Sequence, residues 1–243
     1  MNILIFGANA DLGNPIAHIH ASKGDNLFLT ARKQEQLDRI KSDLEIRYKV
    51  KIKTFVLEAT DFEQHAQVLD KIGISEMDQV YCVFGYLGEQ EKAEKDFGES
   101  RQIIEVNYTA AVSLLNPIAE AFAQKGTGTI IGISSVAGER GRMSNYMYGS
   151  AKAAFTAYLD GMRNRLAHKG VHVLTVKPGF MRTKMTEGLP LPAPLTAMPD
   201  KAAKIIVKAA QKKKNTAYVL PIWALIMLII RNVPEFIFKK LKL

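Results

Sequence analysis

The chain has 243 residues, 47% of them hydrophobic, which is enough to build one large α/β domain and too apolar for a disordered chain. The formal charge of +9 invites phosphorylated ligands, nucleic acid or an anionic membrane. No nucleic-acid motif is present, so no nucleic-acid partner is expected. Cys82 is the sole cysteine, which excludes an internal disulfide, and without a Cys/His cluster no metal is expected.

The apolar run Ile3–Phe6 predicts a first strand. The opening lacks the basic start and cleavage site of a secretory leader, so a cytoplasmic location is expected. Asn14–Lys23 predicts a helix ended by Gly24, Leu27–Thr30 a second strand, Gln34–Tyr48 a second helix and Lys53–Leu57 a third strand. Val80–Phe84 is apolar throughout, as a parallel strand covered on both faces must be. Arg101–Gln124 predicts a long helix, Thr129–Ile133 a fifth strand, Met147–His168 another long helix and Val171–Val176 a sixth strand. This rhythm predicts an α/β fold, a doubly wound parallel sheet of the Rossmann kind, with its ligand crevice at the carboxyl ends of the strands. Lys184–Pro199, rich in Pro and Gly, predicts a loop near the mouth of that crevice. Residues 1–217 are expected to form a single catalytic domain and 218–243 an apolar, basic helical tail.

The segment Gly7-Ala8-Asn9-Ala10-Asp11-Leu12-Gly13 lies between the first strand and the first helix. Glycines there let backbone approach a pyrophosphate, and a helix N-terminus favours its charge; an ordinary strand-to-helix turn would look similar. Strand two runs out at Arg32, a base where an NAD-binding fold places an acid, so a 2′-phosphate and hence NADP(H) over NAD(H) is expected. As a surface charge, Arg32 would carry no such meaning. Tyr148 and Lys152 stand at i and i+4 on a predicted helix and share one face. An ammonium beside a phenol favours the phenolate, which suits a general acid/base. Ser134-Ser135 follow strand five, Asn107 lies in the preceding long helix, and Lys177-Pro178-Gly179-Phe180-Met181-Arg182-Thr183 follow strand six.

Glycine loop, Asn, Ser, Tyr-x-x-x-Lys and Pro-Gly-x-x-x-Thr, in this order over about residues 1–200, resemble the short-chain dehydrogenase/reductase family. The resemblance implies a nicotinamide-dependent oxidoreductase acting on a carbonyl or secondary alcohol. It implies that Tyr148 donates the proton, Lys152 lowers its pKa and binds ribose hydroxyls, Ser135 polarises the carbonyl, and Asn107 holds a water that links Lys152 to solvent. Gly7 to Gly13 would hold the pyrophosphate, and Pro178, Gly179, Met181 and Thr183 would meet the carboxamide. The adenine contact falls to Glu58 with Ala59, or alternatively to Asp61. Gly85 alone survives of the Asn-Asn-Ala-Gly that follows strand four in the family, and Asp11 stands at its middle loop glycine, where an acid beside phosphates is unfavourable unless it points away or caps the helix. A homo-oligomer is implied as well.

Within that family the chain is similar to reductases related to the decaprenyl-phosphoryl ketopentose 2-reductase. The matching features are Glu58-Ala59-Thr60-Asp61-Phe62 with His65, Ser134 to Arg142, Pro178-Gly179-Phe180 with Thr183, and the Trp-containing basic tail. This implies a keto sugar on a polyprenyl-phosphate lipid, with Arg140, Arg142 or Arg182 meeting the phosphate. The tail's uninterrupted apolar run, Ile222–Ile230, falls well short of the about 20 residues that a bilayer span needs. It fits peripheral contact with the inner membrane face, with Trp223 at headgroup depth and lysines facing anionic lipid. A subunit contact or simple core packing are the other readings, and a diffusible ketone is the other substrate class. A non-catalytic NADP(H)-binding protein is the reading from a different class.

Overall fold

The structure is a computed structural model that describes residues 1–241. In chain order its elements are β1 (Asn2–Phe6), α1 (Gly13–Ala21), β2 (Asn26–Ala31), α2 (Gln34–Tyr48), β3 (Ile52–Val56), α3 (Phe62–Ile72), β4 (Gln79–Cys82), α4 (Gln90–Ala93), α5 (Phe97–Ile104), α6 (Ala110–Lys125) and β5 (Gly128–Ile133). There follow α7 (Tyr146–Ala167), β6 (Val171–Lys177), β7 (Phe180–Met181), β8 (Thr196–Ala197), α8 (Pro199–Gln211), β9 (Thr216–Tyr218), α9 (Ile222–Asn232) and α10 (Glu235–Phe238). Seven strands form one parallel sheet in the order β3-β2-β1-β4-β5-β6-β9. The order reverses between β1 and β4, and their carboxyl ends open the crevice in which such sheets bind ligands.

Strand alternation splits the core into two layers. Ile3, Ile5, Leu29 and Leu174 face α1, α2 and α8 through Ile16, Leu37 and Ile206. Leu4, Phe6, Phe28 and Val173 face α3, α6 and α7 through Leu69, Ile118 and Leu159. Apolar strands in an α/β sheet are thereby covered on both sides, as their composition requires.

Three expectations are adjusted. The fourth strand stops at Cys82, and Phe84 instead packs its backbone against Gly7. The long helix expected over 101–124 is interrupted by a π-helical turn at Glu105–Thr109, centred on Asn107. The loop 184–199 carries β8, which pairs with β7, and Pro199 opens α8 at a position where its missing N–H costs nothing. Among the described residues, no helix is long and apolar enough to cross a membrane.

Candidate active site

The loop after β1 is tight. Gly7 takes φ +84°, a left-handed conformation that favours glycine, and a Cβ on Gly13 would collide with the Gly7 carbonyl. Ala8 N–H donates to Thr30 O at 2.8 Å, which ties the loop to the end of β2, and Asn9 Nδ2 donates to Gln36 Oε1 at 2.8 Å. Leu12 is buried beneath, so the backbone from Gly7 to Gly13 forms a cradle that side chains do not fill. Arg32 and Lys33 stand exposed just beyond β2. These features fit a dinucleotide carrying a 2′-phosphate. Asp11 does not face this cradle; its carboxylate accepts the Lys184 N–H at 2.7 Å, across the crevice mouth. That removes the objection to an acid beside phosphates.

Glu58 is exposed and Ala59 and Asp61 half-buried, all just past β3, where a shallow depression is lined by Glu58, Thr60, Asp61, Phe62 and Glu63. Both adenine candidates therefore border the same space. His65 is a buried brace beneath them, its Nδ1 2.9 Å from Ser113 Oγ.

The carboxyl ends of β5 and β6 and the start of α7 bring the remaining candidates together. Ser134 and Ser135 part company: Ser134 Oγ donates to Lys152 O at 3.0 Å and lies 2.6 Å from Thr156 Oγ1, fastening β5 to α7. Ser135 is left beside the Tyr148 hydroxyl. Lys152 is 3% exposed, and its ammonium donates to Ile133 O at 3.0 Å and lies 5.7 Å from the Tyr148 ring centroid. A Cβ on Gly85 would stand 3.1 Å from Asn107 Oδ1, 3.5 Å from Lys152 Nζ and 3.8 Å from Met185 Cε, so these groups surround one point.

Burial governs the titration of the pair. It pushes the Tyr148 phenol up to about 12, against a smaller pull from the Ser135 hydroxyl, and it lowers Lys152 to about 8. The expected lowering of Tyr148 by Lys152 is therefore corrected. The ammonium is bonded to a backbone carbonyl rather than to the phenol, and desolvation outweighs it. Tyr148 stands here as a proton-bearing acid, the form that carbonyl reduction uses.

Asn107 is a brace. It donates to Tyr86 O at 2.6 Å and Ile103 O at 2.8 Å and accepts from Tyr86 N–H at 3.2 Å, all from the widened π turn. This supplies the support after β4 that the replaced Asn-Asn-Ala-Gly would otherwise give. Pro178 and Gly179 follow β6, Met181 lies in β7, and Thr183 accompanies Thr186, whose hydroxyl donates to Met181 O.

Two of the three arginines expected to meet a substrate phosphate are spent on other contacts. Arg140 Nη1 donates to Ile230 O and Val233 O at 2.6 Å each, Nη2 bonds Glu235 at 2.9 Å, and the guanidinium lies 3.6 Å over the Phe238 ring. It closes the carboxyl end of α9, a favourable place for a cation. Arg142 turns inward to Val136 O at 3.2 Å, where burial lowers its pKa. Arg182 stays exposed. Sequence reasoning also missed a part-buried trio under the tail: Lys177 Nζ and Tyr218 OH both donate to Glu139 Oε1, at 2.7 and 2.6 Å.

Residues 1–192 match the short chain dehydrogenase family, so the chain belongs to that family. An uncharacterized oxidoreductase of Mycobacterium tuberculosis is 32% identical over 244 residues, covering 98% of this chain and 96% of the relative. Another, of Streptomyces coelicolor, is 29% identical over 243 residues, covering 99% and 95%. In fold, the chain is similar to a short chain dehydrogenase of Burkholderia cenocepacia in complex with NADP, with TM-score 0.84, 22% identity and coverage of 98% and 96%. It is also similar to a short-chain dehydrogenase of Sphingobium yanoikuyae in complex with NADPH, with TM-score 0.83, 21% identity and 96% of each chain covered. The chain is thus an NAD(P)-dependent oxidoreductase of the short-chain dehydrogenase/reductase type.

Proposed function

We propose that this chain is an NADPH-dependent reductase of a carbonyl on an amphiphilic, lipid-linked molecule, a keto sugar on a polyprenyl phosphate being the substrate that the sequence resemblance favours. The observation that carries the reading is a juxtaposition. The Tyr148–Lys152–Ser135 site opens beside a helix, α9, that leaves Leu225, Leu228 and Ile229 more than half exposed. Phe236 and Ile237 extend this apolar surface, and Arg231, Lys239 and Lys240 flank it with positive charge. An apolar face edged by bases is complementary to an anionic bilayer. Residues 1–217 would supply the catalytic domain, and the tail from 218 would rest on the membrane; Lys242 and Leu243 lie outside the described residues.

When bound, the nicotinamide supplies or accepts the hydride. The backbone of Gly7, Asn9, Ala10, Asp11, Leu12 and Gly13 provides the pyrophosphate cradle, Arg32 the 2′-phosphate contact, and Glu58 with Ala59 the adenine contact. Gly85, Pro178, Gly179, Met181 and Thr183 border the nicotinamide. Tyr148 donates its proton to the carbonyl oxygen while Ser135 donates a hydrogen bond to that oxygen. Lys152 brings positive charge to the site as the phenol ionises. Asn107 keeps the floor at Gly85 and Tyr86 in place. Arg182 is the remaining candidate for a substrate phosphate. The NADP and NADPH bound by the two fold neighbours agree with the basic residue at position 32.

The test supplies NADPH tritiated at nicotinamide C4 to the purified protein with a whole-cell extract, followed by partition between organic and aqueous phases. Label in an organic-phase product supports the lipid-linked substrate and delivers the molecule. Label in a small aqueous product replaces it with a diffusible ketone and leaves the tail's apolar face to a second copy of the chain. No transfer, in an extract with live carbonyl pools, favours a non-catalytic nucleotide-binding role.

A further inference from the structure

Three parts of the molecule meet on the indole of Trp223, the sole tryptophan of the chain. Trp223 is 3% exposed on the inner face of α9. Its ring lies so close to Gly179 that a Cβ there would collide with it, and it meets the Phe180 ring edge-on at 5.2 Å between centroids. Its Nε1 donates to Leu195 O at 3.0 Å, inside the segment 184–199. One side chain therefore touches the nicotinamide-side turn after β6, the segment over the site, and, through its own helix, the exposed apolar face of Ile222, Leu225, Leu228 and Ile229.

The segment 184–199 is held at two ends. Asp11 accepts the Lys184 N–H at 2.7 Å, and Trp223 donates to Leu195. Between the anchors Met185 reaches the point shared by Gly85, Lys152 and Asn107. A tether at each end reduces the conformations open to the stretch between, so less ordering remains to be done when a substrate arrives.

We propose that Trp223 is a positioning residue that sets the segment 184–199 over the Tyr148 site, and that an anionic bilayer gripping the outer face of α9 reinforces this placement. The second clause rests on the membrane reading given above; the first does not. Because the segment borders the site and supplies none of the reacting groups, its loosening weakens substrate binding and spares the chemical step. The tail thereby acts as a lever: lipid holds one face of α9 while the other face holds the roof of the site.

Hydrogen–deuterium exchange on the NADPH-bound protein tests this, with and without phosphatidylcholine vesicles containing phosphatidylglycerol. Trp223→Phe keeps a ring on Gly179 and removes the N–H donor. Amide exchange over 193–197 is expected to rise about tenfold in this variant, the size of one lost hydrogen bond. Exchange in β1 and β4 and the affinity for NADPH should stay as in the wild type. With 2-alkanones up to 2-decanone as probes, KM should rise by about the same factor and kcat should hold within about twofold. The vesicles should slow exchange over 193–197 in the wild type and leave it unslowed in Trp223→Phe, with both proteins sedimenting alongside the lipid. Leu225→Asp with Leu228→Asp should abolish sedimentation and leave lipid-free exchange unchanged.

Wild-type exchange over 193–197 and an unchanged KM in Trp223→Phe would overturn the positioning role. Wild-type protein that stays in the supernatant would overturn the membrane reading and the lever with it, while the variant's lipid-free exchange still decides the role of Trp223.

Discussion

At the amino-terminal edge of the sheet, His20, Asp25 and Tyr81 form a buried polar cluster; at the carboxyl edge, half-buried Ser135 and Tyr148 form another with the buried Lys152. In the first, His20 Nδ1 meets Asp25 Oδ2 at 2.8 Å, His20 Nε2 meets Tyr81 OH at 2.9 Å, Tyr81 OH reaches Gln79 at 3.0 Å, and the chain's own amino group bonds Asp25 at 3.0 Å. Each group there closes on another, which is how buried polar atoms are accommodated at low cost. In the second, among the described residues, Lys152 spends one donor on Ile133 O and the Tyr148 hydroxyl has just Ser135 beside it, so bonding capacity is kept for a ligand. Burial raises both phenols, yet the consequence differs: Tyr81 is fixed as a structural donor, whereas Tyr148, at about 12, holds a proton at the mouth of a crevice. A perturbed pKa marks a site when the group is also under-partnered and faces a cleft.

Substitutions at the two ends should separate activity from stability. Tyr148→Phe removes the acid and should lower ketone reduction by about 10²–10⁴-fold, read as NADPH oxidation, with the melting temperature unchanged. If the variant retains near-wild-type turnover, the two clusters do not differ as argued. Arg32→Asp should move the preference from NADPH towards NADH by about 10–100-fold in kcat/KM, the worth of a charge-assisted contact and its reversal. An unchanged ratio would place the 2′-phosphate elsewhere.

Asp25→Asn tests the structural end. It strips the buried His20 of its charged partner and should cost about 2 kcal/mol in urea unfolding, with kcat/KM intact. The pH responses of the two ends sharpen the contrast. Burial lowers His20, so the unfolded chain binds its proton first; stability should fall as pH drops below about 6.5, and His20→Gln should flatten that limb. The lowered Asp25 adds a further loss at more acid pH, as it takes up a proton. Activity answers to the other side of neutrality. Lys152, at about 8, loses its charge as pH rises, and the reduction rate should decline through that value; a profile flat well above it would remove Lys152 from the titration.

Strands β1 to β6 were legible because each is a short apolar run between polar helices, and a parallel sheet leaves such runs no other use. The three-residue β9 gave no comparable signal, since three residues carry no periodicity. Tyr148, Lys152 and Ser135 were legible as a spacing, and the structure brings them together. What spacing does not carry is the direction in which a side chain turns. Arg140 could be read as a phosphate ligand as long as its path to Val233 O was unknown, and Asp11 as a clash with phosphate as long as Lys184 was not seen across from it. The sign of the Tyr148 shift was likewise out of reach, because it depends on how much water the fold removes.

The π turn at Glu105–Thr109 also keeps phase between two helices. A residue added to a helix turns everything beyond it by about 100°, so the apolar stripe of α6, through Leu114, Ile118 and Phe122, is out of step with Ile103 on α5. Winding these five residues as regular α-helix, with none removed, would bring that stripe into line with Ile103 and swing it away from the sheet, whereas deleting one residue would leave it in place. The irregularity that carries Asn107 is in this sense the clutch that lets one continuous rod serve two surfaces, the site on its amino side and the core on its carboxyl side.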